Sequence, residues 1–599
     1  MAKSKAKSVA DKRYEKFCSI ENLQLAWNRI YANSEDIGYK NLYRALFTYY
    51  DYDADENLKR LSERLKNRSY KPSKSFKFYK PKQSGLQRMF SLLDIEDLIV
   101  YQALANIIVP DFAKKREPLE RTFIFSHLFN KEYKDNIFLF EKWKIGYQAY
   151  KNNIAKNFNA GLKITAHFDL AAYYDTIDHN SLLNSSFKEK DESGNTGIRK
   201  QLEECLERWS NKSDDSLKQH HHGIPQGPMS SAIFGELFLS PIDKFLEKNK
   251  ITYSRYVDDF VIQGKTLEEV QKAIVLLEIK CKEYGLVPQV GKFEITESKS
   301  VEDAIGKAPS LSNQEKENVF SSPEETLSLV NKAFLKESFD SSKIRYILKV
   351  YQNSSILLDV VFQEFRNHYE FVEEFCIYLK RFIVSDIDLI YPFVKDQILK
   401  TVPYEFVEYE LWMLLAEISE NFDCSELGEY AVRQLKSCKS FAKFGIYTFL
   451  STLNDNRFIS YLSHETEVTM MLFAIPLINS NVVENEKFGD LLSYYARRSS
   501  EILKIVLSRH LYNLRLFRKI SQEKLEECLV VLPKVDEVSY KTINFYLKED
   551  FGIDSKIKWD DFLGDGYQQA CALLYNAHIT QKANLSRQVN LFNLPRNIL

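Results

Sequence analysis

No two of the eight cysteines stand at Cys-x-x-Cys spacing: Cys18, Cys205, Cys281, Cys376, Cys424, Cys438, Cys528 and Cys571 are scattered singly. That excludes the common zinc modules and points to a chain kept reduced, as in a cytoplasm. No uninterrupted apolar stretch is long enough to cross a bilayer, so no membrane partner is expected. The opening MAKSKAKSVADKRYEK has lysines but no apolar run behind them, which does not read as a secretory signal. Those lysines are expected to be solvated. Net charge is nearly absent too, at −1 over 599 residues. The balance conceals an asymmetry: the first 300 residues hold 48 Lys+Arg against 41 Asp+Glu, and the remainder 34 against 42. Phosphate-binding surface is therefore sought in the first half. With 44% hydrophobic residues, the chain has enough apolar surface for several buried domains.

What is present is a set of acids in ordered surroundings. RYVDDFVIQG (255–264) reads as two short strands joined by a tight turn, with Asp258 and Asp259 at its tip. Adjacent acids in an apolar hairpin repel each other and draw charge out of water, which suits a bound cation. Upstream, LKITAHFDLAAYYDTIDH (162–179) alternates Ile164, Ala166 and Phe168 with Thr165, His167 and Asp169, the pattern of a half-buried strand ending in a carboxylate. Between them GIPQGPMSSAIFGELFL (223–239) is a Gly- and Pro-rich turn running into a helix, with small residues that admit close backbone approach. Asp175 and Asp178 are expected to cap the helix that follows the first motif.

Asp, then Gln-Gly-Pro, then Tyr-Val-Asp-Asp, in this order, resembles the palm of reverse transcriptases. The resemblance implies a divalent cation pair, Mg2+ or Mn2+, held by Asp169 and Asp258 with Asp259 assisting. It implies that Tyr174 excludes a ribose 2′-hydroxyl, so the substrates are dNTPs, and that Gln226 and Gly227 meet the nucleotide's base and sugar. In KEYGLVPQVGKFEI (282–295) Lys292 resembles the family's phosphate-side lysine, although Pro288 and Gln289 replace the usual Leu and Asn. YKPSKSFKFYKPKQSGLQRMFSLLDIEDLIVYQAL (70–104) resembles the fingers, where a Lys and an Arg grip the triphosphate. Lys82 and Arg88 are the candidates and Lys80 the competitor; the leaving pyrophosphate needs positive charge in place. The Gly-Phe-Arg-Pro-Gly-Arg motif that group II intron enzymes carry near residues 120–160 is missing, which speaks against template binding of their kind. His220, His221 and His222 cannot all ligate one ion, because consecutive side chains on extended chain point to opposite faces.

After a polar linker (306–323) helical stripes succeed one another: Ile344, Ile347, Leu348, Tyr351; Leu358, Val361, Phe362, Phe365; Phe375, Tyr378, Leu379, Phe382; Leu411, Leu414, Leu415, Ile418. Connections are short, with caps such as Ser385. The expected fold is thus an α+β fingers-and-palm domain followed by an all-α solenoid resembling HEAT-type repeats, with an irregular bundle as the alternative. Expected boundaries are 1–115 for N-terminal helices and fingers, 116–305 for the palm and 324–599 for the helical domain. Together these resemble the abortive-infection polymerases of bacterial phage defence, the AbiK type above all. That family implies untemplated DNA synthesis begun on a protein hydroxyl, single-stranded DNA covalently attached to the protein, and homo-oligomers through the helical domain. Within the tyrosine-rich segment 39–52, Tyr43 is the priming candidate and Tyr39 the runner-up, beside Lys40 and Arg44. An RNA-templated reverse transcriptase and a non-enzymatic scaffold remain as alternative functions.

Overall fold

The computed structural model describes residues 9–32, 40–51, 54–187, 196–210, 221–306, 322–352, 354–437, 440–498, 500–516 and 518–532. Most of the expected linker, residue Tyr39, the first histidine of the triplet and the stretch after residue 532 lie outside these. Four helices open the chain: α1 (Val9–Phe17), α2 (Ile20–Ala32), α3 (Lys40–Asp51) and α4 (Ala54–Lys66). They surround α5 (Ile95–Arg116), which is buried on nearly every face and begins at an Asp94 cap accepting from the Asp97 amide at 2.8 Å.

Between α4 and α5, strands β1 (Phe76–Pro81) and β2 (Gln87–Leu92) form the fingers hairpin, antiparallel, with Lys80 opposite Arg88. The palm follows: α6 (Trp143–Asn159), β3 (Ile164–Phe168), α7 (Tyr173–Thr176), α8 (His179–Ser186), α9 (Thr196–Ser210), α10 (Met229–Lys248), β4 (Tyr253–Tyr256), β5 (Asp259–Gly264), α11 (Leu267–Glu283), β6 (Glu294–Glu297) and α12 (Val301–Ile305). Its antiparallel sheet has the order β4-β5-β3-β6. Strand alternation divides the two faces. Ala166, Phe168, Tyr253, Phe260 and Ile262 enter the main core with residues of α10 and α11. Ser254 and Gln263 turn to α6, where Asn153 donates to the Ser254 hydroxyl at 2.9 Å and Gln263 donates to the Ile154 carbonyl at 3.2 Å.

From Pro323 to Val531 the described residues form helices and connections with no strand. The predicted stripes do their packing: Ile344, Ile347, Leu348, Leu411, Leu414, Leu415 and Ile418 are all fully buried. The expected cap is one residue off, since Asp386 rather than Ser385 precedes helix Ile387–Leu399, and it makes no side-chain cap bond. This helix start lies at the surface, with Ser385, Asp388 and Leu389 exposed, so water can satisfy its free amides.

This helical region closes back on the fingers and the N-terminal helices. Helix Glu405–Ser419 packs along β1, and the Phe78 ring stacks on Phe441 at 4.6 Å and on Phe406 at 6.1 Å. Lys80 reaches Glu373 at 2.6 Å, and the Tyr404 hydroxyl donates to the Gly85 carbonyl at the hairpin tip at 2.9 Å. Farther on, burial pushes the His510 imidazole down to about 4, so the ring is neutral. Its Nε2–H donates to the Ile478 carbonyl at 2.6 Å, which leaves Nδ1 to accept from the Tyr49 hydroxyl at 2.7 Å.

Behind Lys80, burial and then Glu373 push the Glu410 carboxyl up to about 8, with Lys380 and Lys80 pulling the other way. The folded protein therefore keeps a proton on Glu410 that the unfolded chain releases above the ordinary carboxylate range. Stability must fall as pH rises through that window up to the folded pKa. Glu410→Gln is expected to flatten the profile, holding Tm at about pH 9 a few degrees above the parent's, relative to each at about pH 5. Parallel Tm curves for the two proteins in calorimetry would refute the assignment.

Candidate active site

The turn between β4 and β5 has two residues, Val257 and Asp258, so Asp258 stands at the tip and Asp259 opens β5. Val257 lies in the left-handed region (φ 59°), a costly conformation for a β-branched residue, which persists only where its surroundings impose it. The imposing group is Arg255. Its Nη1 donates to the Val257 carbonyl at 2.7 Å, while Nε and Nη2 fork onto Asp243 at 2.9 and 2.7 Å. Nη2 also lies 2.9 Å from Glu236. Glu236 is shared with Arg116 at 3.4 Å and His127 at 3.0 Å. Arg255, Glu236, Asp243 and Arg116 are all buried. Burial pushes the Glu236 carboxyl up, but Arg116 and Arg255 outweigh it and hold it well below the usual range.

Asp169 follows β3 directly, and the pairing of Phe168 with Phe260 brings it to the turn that carries Asp258 and Asp259. The Asp169 carbonyl accepts from the Gln289 amide at 2.8 Å, which fastens that strand end to the segment before β6. Burial, then Asp259 and Asp169, push the Asp258 carboxyl up to about 7, with Arg88 working against them. Among the described residues no three His, Cys, Asp or Glu side chains are gathered into a ready metal cage. What the site holds is crowded, partly desolvated carboxylate oxygen, a donor set that fits a hard divalent cation and resists staying charged without one.

Around the acids the other sequence-predicted residues fall as follows. Tyr174 sits in the second position of α7, half-buried, and burial and then Asp258 push its hydroxyl up, so the phenol faces the acids. Room for its ring comes from Gly235 of α10, where a Cβ would stand 3.4 Å from the Cε1 atoms of Tyr173 and Tyr174. Gly227 has φ 130°, which only glycine tolerates, and the Gln226 carbonyl accepts from the Ser91 amide of β2 at 2.9 Å. The Gln-Gly-Pro turn is thus stitched to the fingers. Burial raises the Asp175 carboxyl, and Lys77, Lys82, Arg88 and His222 pull it down, so the fingers' cations face the palm across this residue. Lys80, the competitor, is drawn instead to Glu373. The backbone of Lys292 lies in a short 3-10 turn (Val290–Lys292) just before β6.

One expectation divides, one holds and one needs correction. Asp178 caps α8, accepting from the Ser181 amide at 2.7 Å, but Asp175 caps nothing and leaves its buried Oδ1 without a partner. His221 lies 3.6 Å from Glu207, whereas His222 bonds the Asp175 carbonyl at 2.8 Å, so the two diverge. Tyr43 does not offer its hydroxyl to the site. It is 1% exposed, stacks on Phe47 at 5.4 Å, meets Phe473 edge-on at 5.5 Å, and donates to the Leu93 carbonyl at 2.5 Å. Packing claims it because it lies on the buried side of α3, with Leu46, Phe47 and Tyr50. Sequence reasoning missed Arg255, Glu236 and Asp243 altogether. The signal was there: two carboxylates seven residues apart on one face of an otherwise apolar helix, beside an arginine in a strand, ask for one another.

A family model described as reverse transcriptase (RNA-dependent DNA polymerase) matches residues 79–302, so this region is a reverse-transcriptase domain, and a helical region follows it. No curated protein sequence matches the chain. Similar solved structures include telomerase from Candida albicans with a TWJ fragment of telomeric RNA, at 13% identity over 61% of this chain and 67% of that one, TM-score 0.29. Apo telomerase from Candida tropicalis is 13% identical over 76% of this chain and 69% of that one, TM-score 0.27. At these scores the likeness carries no argument.

Arg255→Met is expected to destabilise the protein by about 3–5 kcal/mol, because it strands Asp243 and part of Glu236 as buried, uncompensated charge. The conservative Arg255→Lys should keep one ion pair but lose the fork, and so fall between the two. Denaturant unfolding followed by circular dichroism decides; a loss under about 1 kcal/mol for Arg255→Met would refute the network's role.

Proposed function

We propose that the chain is a DNA polymerase of reverse-transcriptase fold that makes untemplated, protein-primed DNA in abortive-infection phage defence. The observation that carries the polymerase reading is that strand pairing brings Asp169 to the Asp258–Asp259 turn, with Tyr174 and Arg88 near enough to interact electrostatically with Asp258. Two divalent cations held by Asp169 and Asp258 would supply a Lewis acid for the attacking hydroxyl and another for the leaving oxygens. The chain's own residues then do the rest. Lys82 and Arg88 bind the triphosphate, the Gln226–Gly227 backbone seats the nucleotide, and the Tyr174 ring excludes a 2′-hydroxyl from the sugar's place. Lys292 is proposed for the phosphate side.

The untemplated reading is supported by what covers the fingers. A duplex presents a dense row of phosphates and calls for a basic clamp. The residues beyond the palm are net acidic, and their Glu373 and Tyr404 lie against the fingers hairpin. The RNA-templated reading is favoured by the family description, and it predicts product that copies a supplied RNA. The priming hydroxyl is proposed to belong to the protein, but Tyr43 could serve only if α3 lifted away from Leu93 and Phe473. Homo-oligomers through the helical domain are part of the same proposal, and light scattering of the full chain across micromolar concentrations tests them.

Purified protein given Mg2+ or Mn2+ and labelled dNTPs, with no nucleic acid, is expected to label itself, and Asp258→Asn to abolish the label while Tm stays at or above the parent's. Product with a free 5′ end would remove the priming claim. Incorporation that requires RNA and follows its sequence would replace the reading by the templated one. Tyr174→Ala should shift the ratio of kcat/KM for dNTP over NTP toward ribonucleotides by about tenfold or more. An unchanged ratio means that another residue reads the sugar.

A further inference from the structure

The first turns of α6 carry side chains that the scheme above does not use. Trp143 is 63% exposed, whereas Trp27, Trp209 and Trp412 are wholly buried. A lone tryptophan in water is an unusual surface choice, and here it does not stand alone. The Trp143 and Tyr147 rings lie 6.3 Å apart, and Tyr147 meets the Tyr256 ring edge-on at 5.4 Å. The Tyr256 hydroxyl donates to the Trp143 carbonyl at 3.4 Å. Tyr256 ends β4, directly opposite Asp259 and two residues before Asp258. A row of three aromatic rings therefore runs from the surface to the edge of the acidic turn. Cations accompany it: Lys144 Nζ lies 5.9 Å from the Trp143 ring and Lys151 Nζ 5.1 Å from the Tyr147 ring, and Lys142 is exposed at the head of the helix. The neighbouring Glu141 is neutralised by Arg121 at 2.6 Å.

We propose that Trp143, Tyr147 and Tyr256 form a platform on which bases of a single DNA strand stack beside the catalytic turn, with Lys142, Lys144 and Lys151 against its phosphates. Flat aromatic faces interleaved with lysines match alternating bases and phosphates, and stacking is indifferent to sequence. A duplex does not fit, because its bases are already stacked on one another. A protein partner is less well matched, since the aromatic row leads into a cluster of acids that a nucleic acid approaches with its metal-bound end. The strand's identity as DNA rests on the polymerase reading above.

The test uses the full chain without dNTPs or metal and a fluorescein-labelled oligodeoxythymidine of about 20 nucleotides. Binding read by anisotropy should weaken about tenfold or more in Trp143→Ala, should be largely kept in Trp143→Phe, and should weaken with salt more steeply in the parent than in Lys144→Gln. The oligonucleotide should also quench tryptophan emission in the parent and not in Trp143→Phe. An unchanged Kd in Trp143→Ala, or equal competition by a duplex of the same sequence, overturns the platform. The two readings fail separately. A chain that never incorporates dNTPs yet loses the oligonucleotide on Trp143→Ala keeps the strand site and loses the polymerase. A chain that polymerises but binds strand equally well without Trp143 does the reverse.

Discussion

The geometry of the turn that carries Asp258 depends on one buried positive charge. Removing a guanidinium from water is costly, and an isolated one in an apolar core would not be tolerated. Arg255 is offset by Asp243 and Glu236, both on α10, and it spends its remaining donor on the carbonyl of Val257. That last bond holds a β-branched residue in a left-handed conformation and so fixes where Asp258 points. Because Glu236 also meets Arg116 and His127, the same charge network joins the end of α5 and the chain beyond it to the palm sheet. The acids of the turn are thereby coupled to the centre of the protein through hydrogen bonds with directions, which apolar packing alone would not provide.

A second constraint divides the lysines of the fingers between two tasks. Phe78 and Lys80 share a strand face, and both are taken up by the helical region, Phe78 by rings and Lys80 by Glu373 and the face of Phe406 at 4.8 Å. Lys77, on the alternate face, donates to Ser91 at 2.5 Å beside the Gln226 turn. The hairpin is thus braced from behind by the second half of the chain and in front by the palm. A fingers hairpin so held has little freedom to swing.

Much of the site was legible because it is local. The acids, the Gln-Gly-Pro turn and the strand ending in Asp169 are short stretches whose spacing carries their chemistry, and the helical stripes beyond residue 323 likewise name their own buried faces. What the sequence did not reveal depends on partners far along the chain. Nothing near Tyr43 announces Phe473, and nothing near Glu410 announces Lys80. The Arg255–Glu236–Asp243 cluster was overlooked for a different reason: its members are close in sequence, but a buried ion pair looks like surface charge until the helix that carries it is known to be covered.

The Tyr49–His510 bond spans 461 residues of sequence. A ribosome working at about 5–20 residues per second makes α3 and then needs on the order of half a minute or more before its covering helices emerge. During that time the palm is already outside the ribosome, while the sides of Tyr43 and Tyr49 that meet Phe473 and His510 in the folded protein are uncovered. The nascent chain must therefore carry an unsealed surface there until the helices that bear Phe473 and His510 have been made. Bound chaperone, or slow codons placed after the palm, would be felt more by this protein than by one whose domains close in the order in which they are made.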